Sequence, residues 1–119
     1  MGCNVTTEWV SGGILIRPMG IMKSGQVVAS HKHNFDHTTI VFTGAVRIRA
    51  VLPDGTEIDR IFKSPRANWG GPSHALIRAG VEHEITALED NTVPWCVYSH
   101  RDPQGEIVQQ YNGWRDAYG

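Results

Sequence analysis

Neither sign of charge is in excess in this sequence: 11 Lys and Arg stand against 12 Asp and Glu, a formal net charge of −1. That balance leaves no basic footprint of the kind that grips nucleic acid or an anionic membrane surface, so neither is expected as a partner. Long apolar runs are missing too. None reaches the roughly 18 residues of a membrane-spanning helix, and residues 1–10 lack the basic and apolar regions of a secretory signal. Cysteine is scarce, with 2 in the whole chain. Cys3 and Cys96 are far apart and form no CxxC, so a reduced, cytoplasmic protein is expected, with Cys96 an ordinary buried thiol. Met1-Gly2-Cys3-Asn4-Val5-Thr6 fits the loose N-myristoylation pattern, with Cys3 placed for palmitoylation. So few residues of that pattern are fixed that a chance match is the expectation. The sequence also lacks a GxSxG nucleophile motif and a glycine-rich phosphate loop, which argues against nucleophilic hydrolysis and phosphoryl transfer.

What is present is a chain of short β segments. The 119 residues make one domain, and a 40% apolar fraction with 4 Trp is enough for a packed core. Apolar and β-branched runs alternate with Gly, Pro, Asn and Asp punctuation. Strands are expected at residues 13–16, stopped by Arg17-Pro18, and at 26–33, after a turn at Lys23-Ser24-Gly25. Residues 38–42 form the next, and Gly44 marks a tight turn or bulge. Residues 45–51 alternate apolar and basic through Val46, Arg47, Ile48 and Arg49, one face buried and one wet. Pro53-Asp54-Gly55-Thr56 is a hairpin turn that returns the chain through residues 57–62. Residues 63–73 read as loop. Strands follow at 74–77, 83–87 and 95–100, then a turn at 102–105, a last strand at 107–111 and a helical turn at 114–118. No strand–helix–strand alternation occurs, so the fold class is all-β, a sandwich or small barrel.

The chemistry concentrates in histidine. Of 6 histidines, His31, His33 and His37 fall in one short string and His83 follows in RAGVEHEI. Strand geometry turns His31 and His33 to the same face and Lys32 away. Asn34-Phe35-Asp36 leaves room for the chain to bend, so His37 can open the next strand beside the first pair. Neutral imidazole is the commonest ligand for zinc, copper, iron and nickel, and four rings from two pieces of chain suggest one transition-metal site.

The longer spacing resembles the cupin superfamily. Its first motif runs Gly, five residues, His-x-His, three or four residues, Glu, six residues, Gly. Gly25, QVVAS, His31-Lys32-His33, Asn34-Phe35-Asp36, His37, TTIVFT and Gly44 reproduce that frame, with His37 where the family has glutamate. The second motif includes Pro-x-Gly-x-x-His. Arg78-Ala79-Gly80-Val81-Glu82-His83 keeps the Gly and the His but not the Pro, and Ala87 stands where the family has asparagine. The resemblance spans roughly residues 14–98. It implies a single cupin domain, a double-stranded β-helix or jelly-roll barrel with a metal in its mouth. It also implies homodimers, and a four-histidine site of the kind in some small cupins that hold manganese or a neighbouring metal.

The substitution at His37 has a physical consequence. Four neutral imidazoles leave a divalent ion at its full charge, where a carboxylate ligand would halve it. The expected partner is therefore a small anionic chelating molecule. The leading reading is a mononuclear oxygenase of the dioxygenase type using manganese, iron, copper or nickel; zinc fits the ligands but is redox-inert. A Lewis-acid lyase or isomerase is the first alternative, with Tyr98, His74 and His100 as candidate catalytic groups. A non-catalytic binding or sensing module is the second.

Bland readings accompany the other residues. His74 and His100 fit ordinary hydrogen-bonded or surface positions. Phe35, Phe42, Trp69 and Trp95 read mostly as core. Arg47 and Arg49 read as a solvated face, though an inward arginine could clamp a carboxylate. Glu82 and Glu84 should turn away from the side of His83. Asp36 is either a turn residue or an acceptor that orients a ligand imidazole.

Overall fold

The computed structural model describes residues 8–11, 14–33, 35–99 and 104. Its strands are β1 (Glu8–Ser11), β2 (Ile14–Pro18), β3 (Val27–His31), β4 (His37–Thr43) and β5 (Ala45–Val51). They continue with β6 (Glu57–Lys63), β7 (His74–Ile77), β8 (Glu82–Ala87) and β9 (Val93–Ser99). Every pairing is antiparallel. A five-stranded sheet runs β1-β2-β9-β4-β7 and faces a four-stranded sheet in the order β3-β8-β5-β6. No helix among the described residues is long and apolar enough to cross a membrane.

Period-two alternation decides which side chains meet between the sheets. In β5, Val46, Ile48 and Ala50 are buried while Arg47 and Arg49 are exposed, as the sequence pattern requires. Their partners in the core include Val28, Val41, Phe62, Ile77 and Ile85. Each such aliphatic or aromatic side chain contributes on the order of 1.5–3 kcal/mol by leaving water.

Two turns fix the register. At the β5–β6 hairpin Gly55 takes a φ of +90°, and the Asp54 carboxylate accepts the Thr56 N–H at 2.9 Å. Between β4 and β5, Gly44 has a φ of +81°, and a Cβ there would lie 2.1 Å from Thr92 Oγ1 and 2.7 Å from Thr92 Cα. That hydroxyl is held in turn, donating to the Glu89 carbonyl at 2.8 Å and accepting from the Ala45 N–H at 3.2 Å. The last glycine of the Gly25-to-Gly44 frame is thus a packing requirement.

Several boundaries differ from the expectation. Arg17 and Pro18 do not stop β2 but belong to it, because β9 pairs along its whole length, with Arg17 opposite Cys96 and Pro18 opposite Trp95. β3 ends at His31, two residues short of the expected end, and β4 begins one residue before the expected 38, at His37, which opens the strand as its place in the histidine string suggests. β1 was not expected; it is a short edge segment, paired among the described residues with β2 alone. The strand at 107–111, the helical turn at 114–118, residues 102, 103 and 105 of the expected turn, and the start of the chain with Cys3 lie outside the described residues.

Candidate metal centre

The four histidines arrive from both sheets. His31 closes β3 and pairs directly with His83 of β8, so both side chains leave the same face of the four-stranded sheet. Their ring centroids are 4.4 Å apart. His33 sits two residues on, with Lys32 exposed between, and its ring is 4.7 Å from that of His31. Its carbonyl accepts the Gly80 N–H at 2.9 Å, which ties this segment to the turn before β8. The chain then bends, and His37 opens β4 in the opposite sheet. Its ring stands 4.8 Å from His33 and 5.2 Å from His83. All four side chains are buried. His31, His33 and His83 each offer a ligand atom, and these lie within 4.8 Å of one another.

Hydrogen bonds sort the ring nitrogens. His31 Nδ1 faces the Ala29 carbonyl at 2.7 Å, and His83 Nδ1 faces the Val81 carbonyl at 2.9 Å. A carbonyl only accepts, so the proton sits on Nδ1 and the lone pair on Nε2 of both rings. That arrangement is the usual one for a metal-bound imidazole, since it sets tautomer and ring direction together. His33 Nδ1 and both nitrogens of His37 are buried with no protein partner. A buried polar atom left in that state costs about 1–3 kcal/mol. A cation reached by these nitrogens would offset the cost, and the donor set fits a divalent transition metal.

Burial governs the charge of the cluster. It is the main reason the histidines are held below their ordinary value of 6.5: His33 at about 2, His37 at about 3, His83 at about 4, and His31 in the same direction. For His33, His37 and His83 the neighbouring imidazoles add to this, and for His33 and His37 so does Arg17. At neutral pH four uncharged imidazoles therefore face one another, the state a metal ion requires.

Arg17 escaped the sequence reading. Its side chain is buried and lines a void of about 10 Å³ together with Met19, His31, His33, His37 and Cys96. Its guanidinium donates to the Tyr98 hydroxyl at 2.7 Å. Tyr98 stacks on Phe35 at 4.3 Å, and Phe35 stacks on His33 at 4.9 Å. A permanent cation, a phenol and an aromatic wall thus surround the histidines. Among the described residues, no Asp or Glu joins the cluster. The void holds about one water-sized group.

No family model matches the chain, and no curated protein matches it. Solved structures do. A Bacillus subtilis oxalate decarboxylase studied for its Mn(II) centres superposes with a TM-score of 0.65 at 18% identity, covering 87% of this chain and 24% of that one. A tryptophan-to-phenylalanine variant of the same enzyme gives 0.63 at 19% identity, with 75% and 22% covered. KdgF from Halomonas sp. gives 0.63 at 16% identity, with 87% and 83% covered. The fold is that of a cupin. The chain spans less than a quarter of the length of the decarboxylase it matches, so the likeness there is to one part of a longer protein.

Within this cupin barrel the remaining candidates take their places. Tyr98 lies beside the cluster, but burial raises its pKa, so it is a protonated donor at neutral pH and not a ready base. His74 is exposed at the start of β7 and borders a different cavity. His100 lies outside the described residues. Asp36 does not orient an imidazole: its carboxylate accepts the Ala79 N–H at 2.7 Å and pairs with Arg78 at 3.4 Å. Glu82 is exposed and accepts from Ser30, in keeping with its expected outward turn. Arg47 and Arg49 are solvated, and Arg47 is paired with Asp59. Of the four aromatics read mostly as core, Phe35 alone is buried. Phe42 is 56% exposed and stacks on Trp95 at 4.7 Å, because its parity on β4 turns it to the outer face. Cys96 is buried as expected, and burial pushes its thiol up to about 11, which keeps it from acting as a thiolate ligand.

Proposed function

We propose that His31, His33, His37 and His83 hold one divalent transition metal and that the centre acts on a small anionic, chelating substrate in an oxygenase-type reaction. The observation that carries this reading is the buried cluster of neutral imidazoles with unpartnered nitrogens on His33 and His37. When bound, a redox-active ion such as manganese or iron would pass electrons from the substrate, which is oxidised, to dioxygen, which is reduced. The chain's own residues do the rest. With no carboxylate among the ligands, the site keeps the ion's whole charge, and Arg17 adds another positive group beside it. An anion is favoured on both counts. Phe35, backed by Tyr98, covers one side of the cluster and stacks on the His33 ring.

A second reading follows from Tyr98. Held by Arg17 and protonated, its hydroxyl can donate to a developing negative charge, as a lyase or isomerase would require. The Bacillus relative is, by name, a decarboxylase. Reconstitution with manganese, iron and zinc, followed by elemental analysis, anomalous diffraction and oxygen uptake on small hydroxy acids and diketonates, separates the readings. Oxygen consumption with iron or manganese alone supports the oxygenase. Turnover that persists anaerobically and with zinc supports the lyase. Absence of metal density at the histidines refutes both.

We also propose a homodimer. The outer face of the five-stranded sheet exposes Ile14, Ile40, Phe42 and Leu76, an apolar surface suited to a second copy.

A further inference from the structure

The larger void in the barrel is not the one beside the histidines. A cavity of about 290 Å³ opens where β6, the edge of one sheet, passes β7, the edge of the other. Its walls are apolar: Ile48 and Ala50 of β5, Ile58 and Phe62 of β6, Ile77 of β7, and Val81. Its charged lining is basic, from Arg60 and Arg78, and among the described residues no Asp or Glu belongs to it. Arg78 is engaged by Asp36 across the surface. Arg60 is different. It shares the parity of Phe62 on β6, so its side chain leaves the strand on the cavity side, with its guanidinium 5.9 Å from the Phe62 ring centroid.

We propose that this cavity is a binding site for a small amphipathic organic anion, its apolar body against Ile48, Ile58, Phe62 and Ile77 and its carboxylate on Arg60. The charge pattern selects the ligand class. An apolar void with a basic lining and no acid rejects cations and leaves a neutral ligand without a partner for the guanidinium. Its volume stands at the lower end of small-molecule pockets, which favours a short chain or a single ring. The site is separate from the metal-binding reading, though close to it in the fold: Ala50 is the direct partner of His83 in the sheet, and Ile77 that of His37.

The test uses hexanoate as the anion and hexan-1-ol as its uncharged counterpart. Both are titrated calorimetrically into metal-stripped and manganese-loaded protein, with methyl NMR on the isoleucines. Hexanoate should bind in both metal states, at least tenfold more tightly than hexan-1-ol, and should shift Ile48, Ile58 and Ile77. Arg60→Gln should weaken hexanoate at least tenfold and leave hexan-1-ol unchanged, with Arg60→Lys in between. Should Arg60→Gln not fold, the two-ligand comparison and Arg60→Lys decide. Equal affinity in wild type and Arg60→Gln, binding seen in the manganese form alone, or no binding in either form overturns the proposal. The manganese-only result would place the anion on the metal and leave the metal reading intact.

Discussion

Acid should unfold the metal-free protein well before its carboxylates titrate. In the folded chain His33, His37 and His83 are held at about 2, 3 and 4 by burial, against an ordinary 6.5. A group depressed in this way contributes nothing above 6.5. Below it, the unfolded chain takes up protons that the folded chain refuses, so stability falls as pH falls. At about pH 5, each of these imidazoles withholds about 2 kcal/mol, and the three together about 6 kcal/mol. That is a large part of the 5–15 kcal/mol that holds a typical domain. Asp59 and Glu89, held below their ordinary 3.8 and 4.5, contribute only at lower pH. The assay is urea unfolding of chelator-treated protein, followed by tryptophan fluorescence between about pH 7.5 and 5 and extrapolated to water. Because the folded imidazoles are already deprotonated, saturating manganese should raise stability by a similar amount at both ends of the range, about 2.7 kcal/mol at a hundredfold excess over Kd. His37→Leu should remove about a third of the pH dependence and abolish the manganese increment. A loss of less than about 2 kcal/mol between these pH values would refute the buried, neutral cluster, since a single group of this kind already supplies that much.

Other expectations follow from the same geometry. Gly44→Ala should cost about 3 kcal/mol or more, from a left-handed backbone and from displacing Thr92, whereas Gly25→Ala, with open space around its Cβ, should cost about 1–2 kcal/mol; paired thermal melts compare them. Tyr98→Phe should keep full metal stoichiometry by elemental analysis, because Phe35 stacking survives, while lowering turnover if the hydroxyl donates a proton. His37→Glu should retain the metal and weaken anionic ligands at least tenfold, about 1.4 kcal/mol, as measured by calorimetry; unchanged anion affinity would sink the charge argument. His74→Ala should leave metal content unaltered and stability within about 0.5 kcal/mol, as for an exposed side chain away from the cluster.

The parts of this protein legible in its sequence are those set by local geometry. His31 and His33 share a face because strand side chains alternate, and Gly44 is required because one backbone conformation and one neighbour demand it. The strand at 74–77 and the 53–56 hairpin follow from punctuation in the same way. What escaped depends on partners distant in the chain. Arg17-Pro18 reads locally as a stop, yet β9 runs alongside and carries Arg17 into the interior next to the histidines. Composition does not tell Arg60 from Arg47 or Arg49, since all three are exposed arginines on neighbouring strands. Their faces differ by register: Arg47 and Arg49 pair with Ile61 and Asp59 on the outer face, whereas Arg60 pairs with the buried Ile48 and so stands on the inner side, where the edge of the sheet opens onto a cavity. Phe42 and Trp95 invite a core assignment by size alone. Parity on β4 and β9 sends both outward.

The placement of His37 ties these observations together. His31 and His83 belong to one sheet and are fixed by direct pairing, so they would remain neighbours even if the sheets shifted. His37 belongs to the other, where Ile77 is its partner. The cluster therefore depends on the two sheets keeping their separation, and two of its three unpartnered nitrogens, those of His37, sit across the gap from His31 and His83. A carboxylate at this position would be an anion within reach of Arg17 and could pair with it, drawing the guanidinium away from Tyr98. Imidazole cannot. With His37 in place, Arg17 donates to the Tyr98 hydroxyl and its positive charge stands beside the cluster. The same residue that completes the proposed ligand set thus keeps the pocket cationic, which is why anion affinity and metal retention should separate in His37→Glu and fall together in His37→Leu.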